Sequence, residues 1–493
     1  MAIQSKILHN EENSGALPTA ARAAALLKPV AEAPGASLAA RRAYVEVLVQ
    51  VGYEQMVTTT LSKDSVATLQ LAMRTAAALG ARDITSIEMA AYYAEAGAWQ
   101  IYALAALGRN EDARRVGADA GGIADKVLNL RPGYLLALHA QQVIQDSIAG
   151  LALNDMRPVE AVTYGKRSEA ISLTLIKLDP KNTISFSNLS VGRTRMGDAS
   201  WAAGRPRESL DYYRHALEDV RHAAKAGASF VLDNTLFPTV IMAARQADLG
   251  DTAAADATLA VATREVVDLR HSEPNSRVLP MLGACLLKYG EWNMAFSRGD
   301  ASTARRIARE GVVLAQGIAP HGGLEEFWKT TCTFFALSQL GQAEYLADDP
   351  AAAERTMREA FEAHKRWPTQ TDADRRDEAQ VSTVLAMALA REGHAADAER
   401  LIKPVVKFHR ELAARNHGDE WQHVELASAL YAQALADKPR RAAFLKEAAA
   451  LVAAVPVQMQ ELHSVRLWRD RIRQEQRGPT TAPARGATDR GAG

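Results

Sequence analysis

The stretch RMGDASWAAGRPRESLDYYRHAL, residues 195–217, decides the class of fold that we predict for this chain. Gly204 stands in its middle, and glycine is the residue that most easily ends a helix in a left-handed turn. Small residues follow at Ser209 and Ala216, five and twelve positions after the glycine. We therefore expect two antiparallel helices joined at Gly204, with small side chains on the second helix that let the first approach closely.

The rest of the chain has the same helical character. Ala, Leu, Arg and Glu dominate the sequence, and all four are strong helix formers. Apolar residues recur at three- and four-residue spacing, for example at Ala398, Leu401, Ile402 and Val405, whereas strand-like alternation is nearly absent. The pattern predicts an all-α protein.

Composition argues against several classes of protein. Hydrophobic residues make up 48% of the 493 positions, which is too many for a disordered chain. The 58 basic residues are balanced by 58 acidic residues, so a nucleic-acid partner is not expected. The two cysteines, Cys285 and Cys332, lie in helical apolar patterns. We expect buried free thiols there, with a disulfide or redox pair as the alternative.

The helix breaks recur at a regular distance. We assign one turn residue to each break, and the nine are Ser62, Gly108, Met156, Gly204, Gly250, Gly299, Asp348, Gly393 and Asp437. They are 44–49 residues apart, which indicates a repeat of about 47 residues. Five positions later stand the small residues Ala67, Ala113, Ala161, Ser209, Ala255, Ala304, Ala353, Ala398 and Ala442. Twelve positions later stand Ala120, Ser168, Ala216, Ala262, Gly311, Ala360 and Ala449, with Arg74 and Val405 as departures.

A repeat of this length fits a pair of antiparallel helices. One hairpin cannot bury its apolar stripe alone, so neighbours stack into a continuous core. The sequence predicts a right-handed α–α superhelical solenoid of about nine long hairpins over residues 38–455. A short helix at 19–31 is expected within an N-terminal extension, residues 1–37, and a capping helix over residues 456–477. Residues 478–493 are expected to be disordered.

Two stretches resemble the tetratricopeptide repeat. In residues 195–217 the matching positions are Met196 and Gly197, then Gly204, Ser209, Tyr212, Tyr213 and Ala216. In residues 339–361, QLGQAEYLADDPAAAERTMREAF, they are Leu340, Gly341, Ala353 and Ala360. NLRP at 129–132 and LDPKN at 178–182 are similar to the family's Pro-containing repeat ends. The resemblance implies a helical binding scaffold.

The repeat is longer than the family's usual unit of about 34 residues, so we describe it as tetratricopeptide-like. HEAT-type repeats share the longer period and stay an alternative for the less typical units. The array is also similar to helical repeat regions of large bacterial signalling proteins. The sequence has no Gly-rich phosphate loop, no Gly-x-Ser-x-Gly elbow and no secretory leader or transmembrane run, so a cytoplasmic protein is expected.

Candidate metal and acid–base groups have simpler interpretations. His417 and His423 are six residues apart, which does not place two imidazoles on one helical face. Asp348 and Asp349 precede Pro350, as expected at the start of a helix. Clusters of arginine at 305–309 and 466–473 are mixed with acids and fit solvated faces. No catalytic residue, metal or cofactor is predicted.

The family resemblance also suggests a binding surface. In tetratricopeptide arrays the first helix of each pair lines the concave groove. The corresponding candidates here are Thr194, Asp198, Trp201, Tyr289, Asn293, Phe296, Ser338, Gln342, Tyr345 and Arg391. Trp201, Phe296 and Tyr345 stand at one equivalent position. Aromatic anchors among polar groups suit an extended peptide or a partner helix, although the rings could instead pack between neighbouring helices.

The predicted function is therefore non-catalytic. The protein is interpreted as a scaffold or regulatory module that binds a protein segment in its groove. One alternative is a sensory domain that closes around a small molecule or signal peptide, for which a closed ring would be the structural sign. An all-helical enzyme is the remaining alternative, and it would need carboxylates or histidines converging in one buried cavity.

Overall fold

A computed structural model of the chain describes residues 15–58, 63–225, 235–272, 278–319, 323–366 and 371–477. All regular structure in these ranges is helical. The first eleven helices are α1 Ala16–Glu32, α2 Leu38–Thr58, α3 Lys63–Ala78, α4 Ile87–Ala106, α5 Asn110–Leu130, α6 Leu135–Asn154, α7 Pro158–Leu178, α8 Thr183–Ala202, α9 Pro206–Lys225, α10 Phe237–Asp248 and α11 Thr252–Ser272. The others are α12 Val278–Ser297, α13 Ala301–Gly317, α14 Gly323–Leu346, α15 Pro350–His364, α16 Asp372–Arg391, α17 Ala395–Arg415, α18 Trp421–Ala436, α19 Arg441–Ala454, α20 Val457–Gln460 and α21 His463–Arg477.

The helices form an all-α superhelical solenoid of stacked hairpins. From α2 to α19 each even-numbered helix packs antiparallel against the odd-numbered helix that follows it, and each pair packs on the next. Even-numbered helices are called first helices below, and odd-numbered ones second helices. The predicted fold class is confirmed. The predicted helix at 19–31 corresponds to α1, and the predicted disordered tail lies outside the described residues.

The turns explain why the repeat is regular. Seven of the assigned turn residues have a positive φ of 58–88°, namely Gly108, Met156, Gly204, Gly250, Gly299, Asp348 and Gly393. The residue after each of them donates a backbone hydrogen bond of 2.7–3.0 Å to the carbonyl five positions earlier. This bond closes the first helix at a left-handed residue. Ser62 lies outside the described residues, and Asp437 has a φ of −109°.

The small residues after the turns lie between helices, as predicted, except at the two ends of the array. Ala113, Ala255 and Ala398 have no exposed surface. Ala67 and Ala442 are exposed, so the predicted alignment is wrong in the first and last units. Ser65 and Ala448 are completely buried in those units instead. In the last unit the reason is a 3-10 turn, Lys438–Arg440, which delays the start of α19.

Gly197 shows how close the helices come. A Cβ atom placed on this residue would lie 3.1 Å from the ring of Tyr213, which is completely buried on the second helix of the same pair. A side chain at position 197 would therefore push the two helices apart. Close packing against Tyr213 thus explains the glycine of the Met196–Gly197 pair, on which the family resemblance partly rests.

The solenoid closes on itself. The ends of three first helices meet the region that surrounds α18, α20 and α21, and we name this interface the closing contact. Three hydrogen bonds define it: Asn416 Nδ2 to the Asp155 carbonyl (2.7 Å), the Glu420 N–H to the Ala202 carbonyl (2.9 Å), and the Ser464 N–H to the Asp248 carboxylate (2.8 Å). The partners are more than 200 residues apart in sequence, so the chain curls back until its late repeats touch its middle repeats.

The described helices contain no segment long and apolar enough to cross a lipid bilayer.

Candidate functional site

First helices from four different hairpins converge inside the closed solenoid. Asp198 on α8, Arg245 on α10 and Asp377 on α16 all act electrostatically on the hydroxyl of Tyr289 on α12. Each of the four side chains is half-buried, so each keeps some contact with solvent although protein surrounds it. We name these four residues the interior cluster. Their convergence depends on closure, because α8 and α16 belong to hairpins that are not neighbours.

The interior cluster is anchored by aromatic residues. Asp198 accepts a hydrogen bond of 2.5 Å from the buried hydroxyl of Tyr213. The guanidinium of Arg245 lies over the ring of Trp201, with its carbon 4.1 Å from the ring centroid. Burial raises the pKa of Asp198, while the bond from Tyr213 and the charge of Arg245 lower it in part. The Asp198 carboxyl group therefore lies in an environment that disfavours its charged form.

Among the residues of the interior cluster, Asp377 has the least well paired side chain. No described residue donates a hydrogen bond to its carboxylate. Burial, together with the carboxylates of Asp374 and Glu425, raises its pKa to about 7, although the charge of Arg376 lowers it in part. The charged form of such a carboxylate is stabilised when a cation or a hydrogen-bond donor binds beside it.

Two ion pairs lie close to the interior cluster. Asp146 accepts a hydrogen bond of 2.9 Å from Tyr102 and forms an ion pair with Arg195. Arg376 binds Glu425 at 2.6 Å, and both side chains are largely buried. The two members of each ion pair neutralise each other. The charge of the interior cluster is therefore set by Asp198, Asp377 and Arg245. The interior is therefore acidic.

A second group of aromatic residues lies on the first helices α2, α4 and α6. The rings of Tyr53 and Trp99 are 4.6 Å apart, and Trp99 lies 5.9 Å from His139. Glu95 accepts a hydrogen bond of 2.9 Å from Trp99 and lies 3.1 Å from His139 Nδ1. Burial opposes protonation of His139, but the charge and hydrogen bond of Glu95 outweigh it and raise the histidine pKa.

The predicted groove aromatics contact the chain's own late repeats. Trp201 is 3% exposed, and its ring stacks on Trp421 with centroids 6.0 Å apart. Phe296 meets His463 edge to face at 5.4 Å. Neither contact is between neighbouring hairpins, so both rings belong to the packing that closes the solenoid.

Tyr345 and Arg391 are also engaged within the chain. Tyr345 is 3% exposed, and the guanidinium groups of Arg391 and Arg471 lie 5.1 Å and 5.5 Å from its ring centroid. Arg391 forms a further ion pair of 2.7 Å with the exposed Asp348. Arg471 lies on α21, so the last helix covers this part of the predicted groove.

The remaining candidates are polar and differ in exposure. Thr194 is buried. Asn293 and Ser338 each donate a hydrogen bond of 2.8 Å to a carbonyl one turn earlier in their own helices. Gln342 is half-buried on α14. Asn293, Ser338 and Gln342 thus lie on the same two helices as Tyr289 and Tyr345.

The residues weighed for metal or acid–base chemistry have structural contacts. Asp349 accepts a hydrogen bond of 3.2 Å from the Ala352 N–H and so caps α15. His423 lies 3.3 Å from Glu420, which is on its own helical turn. Within the described ranges, no three His, Cys, Asp or Glu side chains are grouped so that they could hold a metal ion.

Comparison with known proteins gives similarity to solved structures only. No protein-family model and no curated protein matches the sequence. The apo form of the quorum sensor NprR from B. thuringiensis is 12% identical, with 83% of this chain and 99% of that chain covered and a TM-score of 0.43. A human IFIT1 dimer with PPP-AAAA is 10% identical, with 94% and 95% covered and a TM-score of 0.34. A human IFIT1 dimer with m7Gppp-AAAA is 12% identical, with 87% and 93% covered and a TM-score of 0.34.

Several interior residues were not predicted from the sequence. Tyr102 stands six positions before Gly108, as Asp198 stands six before Gly204, so the same spacing would have found it. Arg245 and Asp377 are not marked by this spacing. Their role follows from closure, which brings distant hairpins together.

Proposed function

We propose that this protein is a non-catalytic binding module that holds a short peptide segment inside its closed solenoid. The observation that carries the proposal is the convergence of Asp198, Arg245, Tyr289 and Asp377 from four hairpins on one half-buried region. A scaffold with a purely structural interior would fill this region with apolar side chains. Here it holds charged and hydroxyl groups that keep contact with solvent.

The charge of the interior selects the chemistry of the peptide. The guanidinium of Arg245 acts on Asp198, whereas Arg376 is the only cation that acts on Asp377, and burial raises the pKa of both carboxyl groups. A lysine or arginine side chain of the peptide would supply the missing positive charge. The ring of Tyr289 and the amide of Gln342 would contact the peptide beside it. A phosphate-rich ligand is disfavoured because the same carboxylates would repel it.

The buried candidates have a different role in this proposal. Trp201 and Tyr345 hold the late repeats against the middle repeats, so they control access to the interior. Asp198, Tyr289, Asn293, Ser338 and Gln342 are the half-buried residues that would touch the peptide. Binding and closure would then be coupled, which is the property that a regulatory module needs.

A peptide-display selection tests the proposal. A random peptide library displayed on phage is selected on the full chain, and enriched peptides are synthesised and measured by isothermal titration calorimetry. We expect enriched sequences to share a lysine or arginine. We expect Asp377→Asn and Asp198→Asn each to weaken binding at least about tenfold, because each removes one carboxylate from the cation site.

Asp256→Asn is the matched control. Asp256 is an exposed aspartate on α11, and its only contact among the described residues is an ion pair with Arg298. This variant is expected to bind like wild type. Peptides that bind wild type, Asp377→Asn and Asp198→Asn equally well would move the site away from the interior. A folded protein that enriches no peptide would contradict peptide binding and favour a small-molecule sensor.

A further inference from the structure

Cys285 and Cys332 lie on first helices of successive hairpins, α12 and α14. They are one period apart in sequence, and both border one apolar cluster formed by Leu282, Ala315 and Ile318. Cys285 is 9% exposed, whereas Cys332 is half-buried. The repeat geometry thus places two free thiols side by side across one interhelical contact.

The two thiols act on each other across this contact. Their interaction raises the pKa of the Cys285 thiol and lowers the pKa of the Cys332 thiol, so Cys332 gives up its proton more readily. Cys332 is therefore both the more exposed and the more nucleophilic cysteine, whereas Cys285 stays protonated.

We propose that Cys285 and Cys332 form a reversible redox pair that a peroxide converts into a disulfide between α12 and α14. Cys332 first releases its proton to solvent, and the thiolate then attacks hydrogen peroxide and breaks the O–O bond. Cys332 becomes a sulfenic acid, and the departing hydroxide takes up a proton from solvent and leaves as one water. The Cys285 sulfur then displaces the hydroxyl group, its proton leaves with that group as a second water, and the S–S bond forms. Two thiols are oxidised by two electrons, and one peroxide is reduced to two waters.

A disulfide between Cys285 and Cys332 would link two helices that carry predicted binding residues. α12 carries Tyr289 and Asn293, and α14 carries Ser338 and Gln342. A disulfide requires its two Cα atoms to lie about 4.4–6.8 Å apart, so oxidation fixes the spacing of these helices. The bond forms or fails to form whatever the interior binds, so this inference stands apart from the proposed function.

The test uses the full chain and hydrogen peroxide. The reduced protein is treated with a small molar excess of peroxide, denatured, alkylated with a maleimide and measured by mass spectrometry. We expect no alkylated cysteine and the loss of two hydrogen atoms. We also expect one cross-linked peptide pair containing Cys285 and Cys332, and recovery of both thiols after reduction. The thermal unfolding midpoint should rise on oxidation and return on reduction.

Single variants separate the two roles. In Cys285→Ser, Cys332 should give a sulfenic acid that dimedone traps, with no internal disulfide. In Cys332→Ser, Cys285 should stay alkylatable at the same peroxide dose. Cys285→Ala and Cys332→Ala replace either serine variant that does not fold. Wild type that keeps both thiols free, or that forms only links between chains, would overturn the proposal.

Discussion

The indole of Trp421 stacks on the indole of Trp201, with ring centroids 6.0 Å apart and planes inclined by 15°. Trp421 Nε1 also donates a hydrogen bond of 3.1 Å to the Trp201 carbonyl. The two residues stand 220 positions apart. This pair joins the fourth and ninth hairpins, so it is a sensitive point at which to test closure.

Trp421→Ala should open the solenoid. Loss of the half-buried ring should cost about 2–3 kcal/mol of unfolding free energy, and the radius of gyration from X-ray scattering should increase. Trp421→Phe keeps a ring at the interface and loses the hydrogen bond, so it should cost only about 1 kcal/mol and stay closed. Scattering from Trp421→Ala that is identical to wild type would mean that closure does not depend on this pair.

Two turn glycines form a matched pair for the same interface. Gly204 and Gly250 both have a positive φ, but only at Gly204 would a Cβ meet the late repeats, at 2.9 Å from Met459 Sδ. Gly250→Ala should cost about 1 kcal/mol through backbone strain alone. Gly204→Ala should cost about 2–3 kcal/mol because the clash is added. Thermal unfolding followed by circular dichroism compares them, and equal losses would show that the late repeats do not press on Gly204.

Asp377→Asn should stabilise the protein at high pH only. The native pKa of about 7 lies above the ordinary value of 3.8, so between these values the native state keeps a proton that the unfolded state has lost. The contribution of Asp377 to the free energy of unfolding of the wild-type protein therefore falls as the pH rises from about 4 to about 7. The variant should be about 1–2 kcal/mol more stable at pH 8 and unchanged at about pH 4. Chemical unfolding of both proteins at pH 4 and pH 8 measures the difference, and a difference that is the same at the two pH values would refute the raised pKa.

Overpacking tests the repeat alignment. Ala113 and Ala255 have no exposed surface, so Ala113→Leu and Ala255→Leu should each cost roughly 1–3 kcal/mol. Ala67 and Ala442 stand at the same predicted position but are exposed, so leucine there should change stability by less than about 0.5 kcal/mol. Chemical unfolding of the four variants measures the contrast, and four equal effects would contradict the burial pattern.

The spacing of glycine and alanine was enough to locate the hairpins because the cause is local. A left-handed residue ends seven of the first helices, and a small residue must follow where two helices touch. The prediction also succeeded at Met156 and Asp348, where no glycine stands but φ is 58° and 61°. It failed at Ala67 and Ala442, which are exposed, and in the last unit an added 3-10 turn delays the start of α19.

The candidate site was harder to predict because its neighbours are distant in sequence. The spacing placed Trp201, Phe296 and Tyr345 on one surface, and these residues do contact groups far along the chain. It did not show that the groups are Trp421, His463 and Arg471 of the same molecule. Periodicity reports which face of a helix is apolar, and it contains no information about the curvature that many repeats accumulate.

The sequence by itself determined the helices, their lengths, their turns and their stacking order, because propensity, turn chemistry and small-residue spacing all act over one or two repeats. Only the tertiary structure decided that the solenoid closes and that Asp198, Arg245, Tyr289 and Asp377 meet. A small rotation at each hairpin is repeated along the array. The sum of these rotations, rather than any single motif, brings α8 and α16 to the same interior.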